Sequence, residues 1–185
     1  RQKIFWWAIA VGQKHSMCTL NNETISQSLK IKHKIADKLV YSKVRDRLGG
    51  RLKFFVSGGA PLSQEIGEFF ASAGITILEG YGLTETSPVL TSNSPGSIRY
   101  GSVGKPLFNV EVKIADDGEI IARGPSIMKG YYNNEEATNN TIRSDGWMHT
   151  GDVGYFDNEG FLKITDRKKN ILVTSAGKNV APAPM

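Results

Sequence analysis

The sequence predicts an α/β fold: part of a parallel βαβ sheet domain, followed by a small β-rich subdomain. Three observations carry this. Two short apolar runs, Leu52–Val56 and Ile75–Leu78, flank the amphipathic stretch Ser63–Ala73, which is the strand–helix–strand order of a parallel unit. After Pro95-Gly96 the texture changes to short alternating runs separated by Gly, Asn and Asp. Apolar residues make up 39% of the 185, enough for a real core.

Taken in order, residues 1–20 lack helix breakers apart from Gly12 and place Trp6, Ile9 and Ala10 at helical spacing. Ile4–Val11 is the longest apolar run, well short of the roughly 20 residues a membrane span needs. It reads as a buried helix or as a helix lying in a membrane interface. Asn21-Asn22 predicts a turn. Ser26–Leu48 predicts a more polar helix with Leu29, Ala36, Leu39, Val40 and Val44 inward, stopped by Gly49-Gly50. Ser57–Pro61 follows the first strand as a loop, and Ser63 is the expected N-cap of a helix that turns Ile66, Phe69 and Phe70 inward. In a parallel unit the loops Ser57–Pro61 and Gly80–Glu85 both leave the carboxyl ends of strands, where open α/β sheets bind ligands, and are expected to line one crevice.

The β subdomain is expected over residues 101–165. Its strands are Val110–Ile114, Glu119–Ala122, Gly154–Phe156 and Phe161–Ile164, with turns at Asp116-Asp117-Gly118 and Asp157–Gly160 and a short helix at Asn134–Asn140. Thr165–Lys169 is polar and reads as a hinge, so residues 166–185 are assigned to the hinge and the start of a further domain, and residues 1–100 to the α/β part. One more strand is expected at Ile171–Val173 and a loop at Ser175–Lys178.

A net charge of +5, with basic residues dispersed except at Arg167–Lys169, suits an anionic ligand and gives no sign of a nucleic-acid groove. The single cysteine, Cys18, excludes an internal disulfide and any multi-cysteine metal site, and points to a reducing, cytoplasmic compartment. Peripheral membrane association and oligomeric state stay open.

Chemistry concentrates in Gly80-Tyr81-Gly82-Leu83-Thr84-Glu85-Thr86-Ser87-Pro88. The glycines permit close backbone approach, Tyr81 offers a flat ring and a hydroxyl, and Thr84 and Glu85 supply a hydroxyl and a carboxylate. A flat base, a phosphate and a divalent cation suit that set. A glycine turn capped by Thr84, with Glu85 as an ordinary first-turn acid, fits the same residues. Asp152 and the Arg167–Lys169 cluster, each taken alone, read as a turn residue and a solvated face.

This nine-residue string closely resembles the signature of the AMP-forming acyl-activating enzymes, which include acyl-CoA synthetases, luciferase-type oxidases and peptide-synthetase adenylation domains. Three further segments resemble the same superfamily in the same order: Leu52–Pro61, Trp147–Asp152, and Asp166–Ile171 with Gly177–Pro182. The resemblance implies that Gly59, Ala60, Pro61, Glu79, Gly80, Tyr81 and Gly82 bind the nucleotide, with the Tyr81 ring stacked on adenine at roughly 1 to 3 kcal/mol. It implies that Thr84 bonds the α-phosphate and that Glu85 holds Mg²⁺. Asp152 accepts both ribose hydroxyls, Arg167 contacts ribose and phosphate, and Ile164 packs near the base. Lys169 is the position about which a C-terminal domain rotates, and Lys178 lies on a loop that enters the site during thioester formation. His149 and Trp147 are expected to be structural.

The implied reaction is ATP-dependent activation of a carboxylic acid to an acyl-adenylate, with pyrophosphate released, and then transfer of the acyl group to CoA with AMP released. RQKIFWWAIAVG and the stretch leading to LGGRLKFFVSGGAPL resemble long-chain fatty acyl-CoA synthetases, so a fatty acid is the expected substrate. An adenylation domain or luciferase-type member acting on another acid is an alternative, and a non-catalytic nucleotide-binding fragment is a second. The superfamily's phosphate loop and its adenylation lysine match nothing in residues 1–185. The chain is therefore expected to be an internal piece of a longer enzyme, inert by itself.

Overall fold

Helix α1, Gln2–Leu20, packs its buried residues Ala8, Ile9, Val11 and Gly12 into a core completed by Ala36, Tyr41, Ala73 and Ile75. The computed structural model describes residues 2–20, 23–168, 172–173 and 179–180. The described chain divides into two compact units, Arg1–Glu79 with Ser94–Gly101, and Gly80–Asn93 with Ser102–Met185.

In the first unit, α2 (Gln27–Ala36) starts at Ser26, whose side chain accepts from Leu29 N–H, and continues through a wide turn at Asp37–Tyr41 into α3 (Ser42–Arg47). The Tyr41 hydroxyl donates to the Ala8 carbonyl of α1. Gly12 makes that approach possible, because a Cβ there would collide with the Tyr41 hydroxyl and with Ser72. Gly49 and Gly50, both at positive φ, end the helical run by donating to Asp46 and Arg45 carbonyls, as the double glycine predicts. Strand β1, Phe54–Ser57, pairs in parallel with the first four residues of β2, Thr76–Gly82. Helix α4, Gln64–Ser72, connects them, with Ser63 accepting from Ile66 N–H as its N-cap. The expected βαβ unit is present.

Several inward assignments do not hold. Trp6 is 66% exposed and Ala10 is exposed, because the buried stripe of α1 runs through Ala8, Ile9, Val11 and Gly12. Ile4–Val11 is therefore buried only in its second half. Leu39 and Ile66 also face solvent, while Leu29, Val40, Val44, Phe69 and Phe70 pack on the core as expected. Among the described residues no helix is long and apolar enough to cross a membrane.

In the second unit, Gly80–Gly82 continue as strand and pair antiparallel with β3, Val89–Ser92, which pairs with β4, Lys105–Pro106. The glycine signature is thus strand up to Gly82 and turns only at Thr84–Thr86, a single 3₁₀ turn. At Gly82 a Cβ would strike the Pro88 carbonyl, so only glycine lets the chain fold back so tightly. Thr86, not Thr84, ties this turn: its hydroxyl donates to the Leu83 and Pro88 carbonyls and accepts from Leu83 N–H.

An antiparallel sheet follows in the order β5 (Glu111–Ile114), β6 (Glu119–Arg123), β7 (Met148–Phe156) and β8 (Leu162–Arg167). The turns at Asp116–Gly118 and Asp157–Gly160 form where predicted, with Gly118 and Gly160 at positive φ. Helix α5, Glu135–Thr141, is capped by the Asn134 side chain. Two boundaries are corrected. The strand expected at Gly154–Phe156 begins at Met148, and the strand expected to end at Ile164 runs to Arg167, with Asp166 and Arg167 pairing with β7. A short pair, β9 (Leu172–Val173) and β10 (Asn179–Val180), closes the described chain. Asn21-Asn22, Lys169, Ile171, Ser175–Lys178 and the terminal tail lie outside the described residues.

Candidate functional site

Asp152 is the centre of the second unit's polar site. It lies on β7 and is 7% exposed. Its Oδ1 accepts from Arg167 Nε at 2.9 Å and its Oδ2 accepts from the Tyr81 hydroxyl at 2.7 Å. β7 and β8 put Asp152 directly across from Arg167, and extending β8 to Arg167 is what makes that pairing possible. Tyr81 comes from the far end of β2. Its ring is buried with Leu90, Val110, Ile120, Ala122 and Leu162, which leaves the hydroxyl at the polar edge of that cluster. Burial, and then the neighbouring Asp152, push the Tyr81 phenol well above its ordinary range, so it acts as a donor at any physiological pH. Arg167 is held protonated by its bond to Asp152. Each carboxylate oxygen carries two lone pairs, so both can accept a further hydroxyl while keeping these partners.

Glu85 follows one turn after Gly82. Its Oε1 accepts from the Tyr131 hydroxyl at 2.9 Å, and its backbone carbonyl accepts from Met128 N–H at 2.8 Å. The Tyr131 phenol is raised, chiefly by that bond to Glu85. Tyr131 was not identified from the sequence, since a Tyr-Tyr pair in a loop carries no spacing signal. Thr84 is exposed beside Glu85, and Ile164 is exposed on β8. Among the described residues no cluster of three or more His, Cys, Asp or Glu could hold a metal unaided. One half-buried carboxylate fits the way Mg²⁺ is usually held, by one or two carboxylates together with phosphate oxygens and water.

The first unit holds the remaining candidates. Gly59, at positive φ, lies with Ala60 and Pro61 in an exposed loop after β1. Glu79 is 5% exposed, and its Oε2 has no hydrogen-bond partner. Burial lifts its carboxyl from the ordinary 4.5 to about 7, partly offset by a backbone bond from Gly101. Between those two values the native state binds more protons than the unfolded one, so stability falls as pH rises through that window. The loss is on the order of 3 kcal/mol. Urea unfolding at about pH 5 and about pH 8 is expected to show Glu79→Gln flattening this dependence and stabilising the chain at the higher pH. An unchanged slope would contradict it.

With this geometry in view, the comparisons with known proteins decide the family. The AMP-binding enzyme family matches residues 9–132. The chain belongs to this family. It is 50% identical over 155 residues to the long-chain-fatty-acid–CoA ligase FadD15 of Mycobacterium tuberculosis, covering 84% of this chain and 26% of that protein. It is 44% identical over 161 residues to the peroxisomal long chain acyl-CoA synthetase 7 of Arabidopsis thaliana, covering 79% and 23%. Among solved structures, the o-succinylbenzoate coenzyme A synthetase of Bacillus subtilis in complex with ATP and magnesium ion superposes with a TM-score of 0.63 at 38% identity, covering 71% of this chain and 30% of that one. The chain thus spans about a quarter of the length of the curated relatives it matches. The structure brings Tyr81, Asp152 and Arg167 together by direct bonds and joins Glu85 to Tyr131. Lys169 and Lys178, expected from the sequence as the hinge and loop lysines, lie outside the described residues.

Proposed function

We propose that this chain supplies the nucleotide-holding part of an ATP-dependent, AMP-forming acyl-CoA ligase acting on a long-chain fatty acid. The observation that carries the reading is the buried Asp152 carboxylate, anchored by Tyr81 and Arg167, whose remaining lone pairs suit the ribose diol of ATP. Charge-assisted bonds of that kind are each worth about 1.5 to 3 kcal/mol. Arg167, fixed as a cation beside Asp152, is suited to ribose and phosphate oxygens. Gly80 and Gly82 keep side chains out of the way, and Thr84 offers its exposed hydroxyl to the α-phosphate. Gly59, Ala60, Pro61 and Glu79 are assigned to the adenine and Ile164 to the neighbourhood of the base. The Tyr81 ring, by contrast, is buried in its own apolar cluster and serves the nucleotide through the hydroxyl it gives Asp152, not as the stacking face expected from the sequence.

Glu85 would hold Mg²⁺, which supplies positive charge to neutralise the phosphate oxygens of ATP. In the first reaction a carboxylate oxygen of the fatty acid attacks the α-phosphorus, the bond to the β-phosphate oxygen breaks, and pyrophosphate leaves with the electron pair. Binding both anions in line is what the protein contributes. In the second, the CoA thiolate attacks the acyl carbonyl and AMP leaves. Lys169 is assigned to the hinge between the two steps and Lys178 to the second.

The substrate assignment is supported by the identity to proteins named as long-chain fatty acid ligases. Solved structures of ligases for o-succinylbenzoate and anthranilate also match over about seven-tenths of the chain, which keeps another carboxylic acid as a second reading. Acyl-CoA formation by the ligase that carries these residues, given ATP, Mg²⁺, CoA and a panel of acids, separates the two. Palmitate is expected to be turned over in preference to aromatic and amino acids. Preference for one of the latter would overturn the substrate and leave the nucleotide assignment standing.

A further inference from the structure

Glu119, the first residue of β6, lies outside the motif segments that supplied the site residues, and its carboxylate is fully engaged. It is 3% exposed. Its Oε1 accepts from Gly151 N–H at 2.8 Å. Its Oε2 accepts from Lys168 Nζ at 2.8 Å and lies 2.8 Å from His149 Nδ1. Lys168 also reaches Asp117 Oδ2 at 2.6 Å. Burial pushes the Glu119 carboxyl up, but the bonds from His149, Lys168 and Gly151 together outweigh it and hold it ionised.

The placement of these partners matters more than their number. Gly151 immediately precedes Asp152, and Lys168 immediately follows Arg167. The β6–β7 ladder loses register where Glu119 and Ile121 face Val153 and His149, so Thr150, Gly151 and Asp152 bulge out of it. A bulge re-aims a side chain, and this one sets Asp152 toward Tyr81 and Arg167. Thr150 pins it from one side, donating to the Ile120 carbonyl and accepting from Asp152 N–H. Glu119 pins it from the other through Gly151, and the same carboxylate fastens the end of β8 through Lys168.

We propose that Glu119 is a positioning residue for the nucleotide ribose, holding the bulge that presents Asp152 and the strand end that presents Arg167. This rests on the reading of Asp152 as the ribose acceptor. Lys168 is its partner in the role, and His149 completes the carboxylate's bonds without touching the nucleotide.

A general loss of packing would weaken ATP and its analogues alike, whereas misplacing Asp152 removes the preference for an intact ribose. The test is therefore pyrophosphate–ATP exchange by the ligase carrying these residues, with ATP and with analogues lacking one ribose hydroxyl. The parent enzyme is expected to favour ATP by about tenfold or more, and Asp152→Asn to erase that preference. Glu119→Gln, which keeps the shape and an acceptor for Gly151, is expected to cut the preference about fivefold while leaving the KM of the acid unchanged. Lys168→Met, at a half-exposed side chain, is expected to move it in the same direction, and Lys168→Arg to restore it. If Asp152→Asn erases the preference while Glu119→Gln and Lys168→Met leave it at the parental value, the proposal is wrong and the ribose assignment stands. If Asp152→Asn leaves the preference intact, the ribose assignment falls and this proposal with it.

Discussion

Asp152→Ala in the ligase that carries these residues is expected to lower kcat/KM for ATP by at least a hundredfold. Two charge-assisted bonds to the ribose, at about 1.5 to 3 kcal/mol each, set that scale. Removing the carboxylate also deprives Arg167 and the buried Tyr81 hydroxyl of their shared acceptor, so both lose their aim. Asp152→Asn keeps the side-chain shape but loses the charge and one of the two acceptor oxygens. It should therefore lose the preference for an intact ribose and, with packing preserved, fall less overall than the alanine variant. Steady-state kinetics with ATP varied at saturating acid measures the difference. A kcat/KM within a few-fold of the parent for both variants would remove Asp152 from the site.

Glu85→Ala is expected to raise the Mg²⁺ concentration needed for half-maximal rate by more than tenfold and to lower the rate at saturation. A single carboxylate is what this part of the chain offers a hard cation, and no other acid in the described residues forms a cluster that could replace it. The Tyr131 bond fixes the direction of one carboxylate oxygen. Tyr131→Phe should therefore shift the Mg²⁺ dependence the same way by a smaller factor. An unchanged Mg²⁺ requirement in Glu85→Ala would show that the ion is held elsewhere.

What the sequence made legible was local. Ser63 as a cap, Gly49-Gly50 as a stop, and the Asp-Gly and Asn-Glu-Gly turns each act within a few residues, so pattern alone placed them. The misread stretches depend on distant partners. Thr165–Arg167 look like loop by composition, and only the pairing of Asp166 and Arg167 with β7, across the hairpin, makes the stretch strand. Gly80–Gly82 resemble a loop until β3 pairs with them. Trp6 is a large apolar side chain that the stripe of α1 leaves in solvent, which spacing alone could not decide. At the site, the motif segments named Tyr81, Asp152 and Arg167 as nucleotide contacts, but the bonds among them depend on strand register. Glu119 escaped notice for the same reason: next to an Asp-Asp-Gly turn it looks like a strand-edge acid, and its partners lie 30 and 49 residues away.

Isotope-labelled pyrophosphate exchange into ATP, driven by palmitate, tests the central claim most directly. The ligase carrying these residues is expected to exchange label when palmitate and Mg²⁺ are present, and Glu85→Ala to cut the exchange by about tenfold or more at the parent's half-saturating Mg²⁺. Absence of exchange with every acid offered, or undiminished exchange in Glu85→Ala, would contradict the account.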